Sequence, residues 1–304
     1  MPRTVFNLRK TGIIAVLALV LFFVIQAISG PINADEQKNL VYVGIPPQAY
    51  FVERIAGDVV KVEVLLAPGK SPATYEPTPK DIAGLGMADG YFMIGVPFEL
   101  KLTDKIQSLA GDLKIIDTRR GIKLQPIAEH HHDPHIQHKG NEDPHIWLDP
   151  QLVMVQCRTI CDGLKEIYPE HAELFENNLK AMEKDLHEAD SSIAFILEKY
   201  KGKAFYIFHP SLGYFAHRYG LKQIAVETAG KEPGARELAE LITQAKRDKI
   251  KAILVQQEFS SKTAQAIASE IGGKVVIINP LSRDYLNNLK AMAESIRAAM
   301  AGNN

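Results

Sequence analysis

The stretch PEHAELFENNLKAMEKDLHEADSSIAFILEKYKG spans residues 169–202 and has no proline or glycine between its first and last residues. Its apolar positions recur at helical spacing, at Leu174, Leu179, Met182, Leu186 and Ile193. The pattern predicts one long linking helix over residues 169–200, roughly 45 Å in length. Because such a rod resists wide hinge bending, we expect a ligand site in a cleft whose walls move little.

On both sides of this helix, short apolar runs alternate with helical patterns. Before it the runs are LVYVGI, VKVEVLL, GYFMIGV and LKIID, and after it they are AFYIFH, LKQIAV, KAILVQ and KVVIINP. Strands that alternate with helices are typical of parallel sheets with covered faces. The sequence therefore predicts an α/β protein of two lobes, 35–168 and 201–304, each with a mainly parallel sheet and flanking helices.

The N-terminus carries targeting information. The basic start MPRTVFNLRK is followed by the apolar run GIIAVLALVLFFVIQAI and then by small and polar residues. This order predicts a Sec-type signal peptide over residues 1–34, although the run is also about long enough to remain as a membrane tether. We expect the protein to be periplasmic or otherwise extracytoplasmic.

Composition excludes one class of partner. The 304 residues have a formal net charge of -1, so the chain lacks the basic surface that nucleic-acid binding requires. Cys157 and Cys161 lie four residues apart in a helical pattern, too far apart on one face for an easy disulfide, and we expect two small buried apolar side chains. We expect a monomer.

Histidine is concentrated in one region. A polar stretch over residues 126–142 has no helical or strand periodicity and is expected to be an exposed loop; it contains His130, His131, His132, His135 and His138. Imidazole binds Zn, Cu and Ni near neutral pH, so this density indicates an auxiliary metal-binding loop. A solvated tract without a role is the alternative.

Two further histidines are predicted metal ligands. His145 lies in the motif DPHIWLDP at 143–150, where Asp149 and Pro150 begin a helix and Trp147 restrains the preceding turn. His209 ends the apolar strand AFYIFH, and α/β folds build their sites at the carboxyl ends of parallel strands. The alternatives are a turn histidine for His145 and a polar core residue for His209.

A third stretch, PATYEPTP at 72–79, combines a proline-rich turn with a helix start at Thr78. Glu76 is the only carboxylate in it. The sequence leaves open whether Glu76 binds a metal or accepts hydrogen bonds from backbone amides.

Together these motifs resemble the family of ABC-importer binding proteins that take up zinc or manganese. The resemblance covers nearly everything after residue 34 and includes Tyr75-Glu76-Pro77, the His-rich loop, His145 to Pro150, Phe208-His209-Pro210, Gly230 to Pro233 and Ile278 to Leu281. It implies two α/β lobes bridged by a long helix, with a metal ion held between them. It also implies delivery of that ion to the membrane permease of an ABC importer.

The chain departs from this family at two of four usual metal positions. Ala73 stands where many relatives have a histidine, and Asn279 stands where an aspartate is common; His145 and His209 match the other two positions. Two imidazoles alone make a poor zinc site. Glu76, Glu258, Asn279, a loop histidine or water are the candidates to complete the shell, and the sequence does not choose among them.

Several functions compete. We expect Zn²⁺ as the transported ligand, because imidazole ligation suits Zn, Cu and Ni whereas Mn²⁺ favours more carboxylates. The same fold binding another metal or a metal chelate is the main alternative, and a cell-adhesion protein is another. A zinc hydrolase is disfavoured because the sequence has neither a His-Glu-x-x-His helix nor a nucleophile elbow; we therefore expect no catalytic residues.

Overall fold

The computed structural model describes residues 39–109, 113–127, 142–227 and 231–301. The predicted signal segment 1–34 and the loop histidines between 130 and 138 lie outside the described residues. Within the described ranges, no helix has both the length and the apolar character needed to cross a membrane.

The N-terminal lobe is built on a parallel four-stranded sheet. Its strands are β1 (Asn39–Val43), β2 (Val60–Val64), β3 (Gly90–Met93) and β4 (Lys114–Asp117), in the spatial order β2-β1-β3-β4. Its helices are α1 (Pro46–Ala56), α2 (Pro79–Leu85), α3 (Pro97–Leu109) and α4 (Pro150–Ile167). All four residues of β3 are buried, as expected for a central strand covered on both faces.

The linking helix α5 (Ala172–Leu197) has 26 residues. Short 3₁₀ turns, Pro169–His171 and Glu198–Tyr200, flank it. Four of the five predicted apolar positions are buried, but Leu174 is exposed and its neighbour Phe175 is buried instead. The buried face therefore begins one residue later than the spacing predicts.

The C-terminal lobe repeats the architecture. Its strands are β5 (Ala204–Ile207), β6 (Lys222–Ala225), β7 (Ala252–Gln256) and β8 (Lys274–Ile278), all parallel, in the order β6-β5-β7-β8. Its helices are α6 (Gly213–Arg218), α7 (Ala235–Arg247), α8 (Lys262–Glu270) and α9 (Tyr285–Ala301). The predicted fold class, two parallel α/β lobes joined by a long helix, is confirmed.

Apolar packing continues from one lobe to the other. Helix α5 packs against α1 and α4 of the N-terminal lobe and against α9 of the C-terminal lobe. Phe51 of α1 meets Tyr285 of α9 edge-to-face, with ring centroids 4.8 Å apart. A single cluster of buried apolar side chains includes residues from both sheets. Burial of this continuous apolar surface favours a fixed arrangement of the lobes.

Two helix starts set the loops around the interlobe region. The Thr78 hydroxyl accepts the Asp81 N–H while Asp81 accepts the Thr78 N–H, a reciprocal cap for α2. Asp149 accepts the Gln151 N–H at 2.8 Å and Pro150 begins α4, which confirms the predicted helix start. Cys157 and Cys161, both within α4, are buried and unpaired as expected.

Candidate metal-binding site

A cavity of about 440 Å³ lies between the lobes. Its wall includes Ala73, His145, Trp147, His209, Glu258 and Phe259. In each lobe the residues that reach the cavity come from segments that follow the carboxyl ends of the strands, where parallel sheets build their sites. Both predicted histidine ligands therefore reach the same space.

His145 lies in the turn just before α4 and is buried, with 9% of its surface exposed. Its Nδ1 is 2.6 Å from Asp143 Oδ1, and the same carboxylate oxygen accepts the His145 backbone N–H at 2.9 Å. A carboxylate behind one ring nitrogen fixes the orientation of the ring and favours the tautomer whose other nitrogen is free to bind a metal. Nε2 is thus the nitrogen available for coordination.

The His145 turn is held mainly by the opposite lobe. Tyr214 of α6 donates its hydroxyl to the Asp143 carbonyl at 3.0 Å. Trp147 donates its indole N–H to the Pro280 carbonyl at 2.9 Å, and Tyr285 donates to the Trp147 carbonyl at 2.8 Å. These bonds fix the turn across the lobe interface.

The approach of Asp143 to the C-terminal lobe requires a glycine. A Cβ atom placed on Gly213, at the start of α6, would lie 2.7 Å from Asp143 Oδ2. That separation is shorter than ordinary van der Waals contact, so a larger residue at Gly213 would displace the carboxylate that orients His145.

His209 lies two residues beyond the end of β5. Its Nδ1 is 3.0 Å from Glu227 Oε2. The Gln256 side chain accepts the His209 N–H at 3.3 Å and donates to the His209 carbonyl at 2.7 Å. Phe259 stacks on the imidazole, with centroids 4.9 Å apart and planes 17° from parallel. All these contacts come from the C-terminal lobe itself.

The two imidazoles face each other, with ring centroids 5.3 Å apart and planes at 69°. The Nδ1 atom of each ring contacts a buried carboxylate: Asp143 for His145 and Glu227 for His209. Histidines that bind metals usually have a carboxylate or carbonyl oxygen hydrogen-bonded to the ring nitrogen that does not bind the ion, as here. Within the described ranges, no group of three or more His, Cys, Asp or Glu side chains is gathered closely enough to hold an ion. The preassembled part of the site is therefore the histidine pair.

Glu258 is a carboxylate in the same cavity wall. It is partly buried, and its Oε2 atom is buried without a hydrogen-bond partner among the described residues. Burial raises the pKa of Glu258 above its ordinary value, whereas its own backbone N–H and the nearby His209 act in the opposite direction. A buried carboxylate oxygen without a donor is costly unless a cation is bound.

The other predicted ligands are placed differently. Glu76 is exposed and is not among the residues that line the cavity. Asn279 lines an adjacent cavity of about 700 Å³, and its side-chain oxygen accepts the Leu281 N–H at 3.1 Å. Ala73 does line the histidine cavity and presents only a methyl group.

A buried carboxylate also holds the part of the cavity wall that the N-terminal lobe provides. Glu99 is fully buried, and one of its oxygens accepts the N–H groups of Ile94, Gly95 and Val96 at 3.1, 2.6 and 3.0 Å. Burial raises the pKa of Glu99 to about 7, against the opposing effect of these bonds and of the Tyr91 hydroxyl.

Sequence reasoning missed the residues that orient the histidines. Asp143 stands two residues before His145 in the quoted motif, and Glu227 lies two residues beyond the end of β6. The rule that applies to His209, that sites form after the ends of parallel strands, would also have indicated Glu227. Gln256 is the last residue of β7, so the same rule would have indicated it as well.

The family model described as zinc-uptake complex component A, periplasmic (ZnuA), matches residues 41–299. The zinc-binding lipoprotein AdcA of Streptococcus pneumoniae (strain ATCC BAA-255 / R6) is 31% identical over 283 residues, covering 90% of this chain and 56% of that protein. The chain thus spans little more than half the length of this relative.

In two further matches the aligned region covers most of this chain and most of the similar protein. The high-affinity zinc uptake system protein ZnuA of Bacillus subtilis (strain 168) is 30% identical over 259 residues, covering 83% of this chain and 81% of that protein. A crystal structure of a ZnuA protein matches with a TM-score of 0.80 and 39% identity, covering 86% of this chain and 98% of that one.

Proposed function

Since the chain belongs to the ZnuA family of periplasmic zinc-uptake components, we propose that it binds a transition-metal ion outside the cytoplasm, zinc foremost, and delivers it to the membrane permease of an ABC importer. In this proposal the chain is a binding protein and not an enzyme. The N-terminal segment 1–34 directs export and is then removed or retained as a tether.

One observation carries the proposal. His145 and His209 come from different lobes, and their rings meet at a centroid distance of 5.3 Å with a buried carboxylate behind each. A pair of imidazoles oriented in this way has its remaining nitrogens free, and neutral imidazole is a common protein ligand for zinc.

The chemistry of the pair favours zinc-like ions. Both cysteines are buried within α4 and neither lines the cavity, so thiolate ligation is disfavoured. Manganese prefers sites with more carboxylates and carbonyls. The names of the relatives, which describe zinc binding and zinc uptake, support the same ion.

The size of the cavity favours a second candidate. A volume of about 440 Å³ falls in the range of small-molecule pockets, about 300–1,000 Å³. A metal ion carried with a small organic chelator would fit this space, with the two imidazoles on the metal.

The deciding experiment identifies what copurifies with the protein. Native mass spectrometry of untagged protein, with elemental analysis, should find one zinc ion; extra organic mass would support the chelate instead. Calorimetric titration should then show tight zinc binding that is lost in the H145A/H209A double variant. The exposed His217→Ala variant is the matched control and should bind as wild type. Unchanged tight binding in the double variant would show that the site is elsewhere.

A further inference from the structure

The histidine pair leaves a zinc ion short of protein ligands. Zinc normally takes at least three from the protein, and here the family positions at 73 and 279 carry alanine and asparagine. We propose that Glu258 is the third metal ligand of this chain. This inference rests on the proposed function, because it concerns the same ion in the same cavity.

Position in the fold brings Glu258 toward His209. Strands β5 and β7 are parallel neighbours, with Ile207 paired to Leu254. His209 lies two residues beyond the end of β5, and Glu258 lies two residues beyond the end of β7. Phe259, the next residue, stacks on the His209 ring. In this register Gln256 is opposite His209, and Glu258 follows two residues later at the same sheet edge, where parallel sheets build their sites.

The state of the Glu258 carboxylate points to a cation. Its Oε2 atom is buried and has no hydrogen-bond partner among the described residues. Buried polar atoms of folded proteins are nearly always paired, and a bound ion is one of the explanations for an unpaired carboxylate oxygen. Glu258 lines the cavity that contains both imidazoles, and it also lines the adjacent cavity of Asn279, so it lies at the boundary between the two.

The alternative ligands are less well placed. Glu76 is solvent-exposed and outside the cavity wall. The Asn279 oxygen already accepts a backbone N–H, and a neutral amide is a weaker ligand than a carboxylate. Glu142 lines the cavity but is exposed, so its carboxylate is solvated by water and gains less from binding an ion than a buried carboxylate does.

Coordination by Glu258 needs a rearrangement of its side chain. Because the described residues hold no ready-made group of three ligands, the Glu258 side chain must turn toward the histidine pair when the ion enters. The resulting set is two imidazole nitrogens and a carboxylate oxygen, a ligand combination used by zinc.

The test compares isosteric variants of the two carboxylates in the cavity wall. Zinc affinity is measured by competition with a chromophoric chelator for wild type, Glu258→Gln and the matched control Glu142→Gln. We expect Glu258→Gln to weaken zinc binding at least tenfold and Glu142→Gln to change it less than twofold. Thermal unfolding without metal should show that Glu258→Gln is as stable as wild type or more stable, because the substitution removes the charge of a partly buried carboxylate. Loss of both affinity and metal-free stability would mark a structural residue and overturn the proposal.

Two further measurements do not depend on the behaviour of that variant. X-ray absorption spectra of zinc-loaded wild type should fit two imidazoles with oxygen ligands, and a requirement for three or more imidazoles would overturn the proposal. Adding Ala73→His, from the same cavity wall, to Glu258→Gln should restore much of the lost affinity.

His145→Ala separates this inference from the function on which it rests. If His145→Ala weakens binding and Glu258→Gln does not, the metal-binding function stands and the assignment of Glu258 is wrong. If neither substitution weakens binding, the proposed site itself is wrong.

Discussion

His145 and His209 reach the same cavity but are supported in different ways. The His209 segment is held by its own lobe, through Gln256, Glu227 and the stacked Phe259. The His145 turn is held largely by the other lobe, through bonds from Tyr214 and Tyr285 and a bond to the Pro280 carbonyl. One half of the site therefore depends on a sheet edge and the other on the lobe interface.

This difference has a consequence for metal binding. Contacts within the C-terminal lobe should affect His209 alone, whereas changes at the interface should affect His145 first. Because the interface and the linking helix share a continuous apolar core, we expect the distance between the two imidazoles to change little when a metal binds, so that little of the binding free energy goes into closing the lobes.

Removing either imidazole should have the largest effect on affinity. We expect His145→Ala and His209→Ala each to weaken zinc binding at least tenfold, about 1.4 kcal/mol or more, while the fold is retained. Calorimetric titration at neutral pH, with circular dichroism as the folding control, measures both. Equal losses would show that the two supports are equally effective, and a wild-type affinity in either variant would remove that residue from the site.

The walls of the two lobes should respond differently to pH. In the N-terminal lobe the segment 94–96 is held by Glu99, whose pKa is raised to about 7 by burial, whereas Gln256, which holds the His209 segment, does not titrate. The folded chain binds the proton of the Glu99 carboxyl more tightly than the unfolded chain does. The contribution of this group to the free energy of unfolding is therefore complete below about pH 4.5. It is lost as pH rises to about 7 and amounts to at most about 3 kcal/mol.

Urea denaturation at about pH 5 and pH 8 tests this prediction. Glu99→Gln should reduce the fall in the free energy of unfolding between the two values, and the exposed Glu240→Gln should behave as wild type. The same pH dependence in wild type and Glu99→Gln would argue against a shifted carboxyl at this position.

The carboxylates behind the imidazoles should give a smaller effect and sharpen the comparison. Asp143→Asn and Glu227→Gln keep the side-chain shape but weaken the acceptor at Nδ1, and for these conservative changes we expect a loss of about tenfold in metal affinity, the low end for such partners. We expect Asp143→Asn to have the larger effect, because Asp143 also accepts the His145 backbone N–H. Competition titrations of the two variants show which one loses more zinc affinity. A larger loss for Glu227→Gln would contradict the prediction that His145 depends more on its carboxylate than His209 does.

The smallest effect should come from a single bond across the interface. Tyr214→Phe removes a hydroxyl that donates to the Asp143 carbonyl and accepts the Gln125 N–H. We expect it to lower stability by about 1 kcal/mol and metal affinity by a few-fold. The matched control is Tyr206→Phe, which removes the bond to Asp248 within the C-terminal lobe and should lower stability without changing affinity. If both variants bind zinc as wild type, the interface does not control His145.

Much of the fold follows from local sequence patterns. The helical spacing in 169–200, the alternating runs and the Asp149-Pro150 helix start were sufficient because each pattern concerns residues a few positions apart. The misplacement at Leu174 shows the limit: near the start of a helix, periodicity does not say which of two adjacent apolar residues turns inward, and packing buried Phe175.

The sequence by itself determined the two lobes, the long helix and the two histidines that reach the cavity, together with the absence of a histidine at Ala73. The tertiary structure decided how those histidines are used. It brings Glu227 behind His209, connects Trp147 to Pro280 across 133 positions of the chain, and leaves Glu258 rather than Glu76 in the cavity wall. These contacts depend on which strand ends and lobe surfaces become neighbours. Side chains that meet only after the chain has folded produce no periodic pattern in the sequence from which the contact could be predicted.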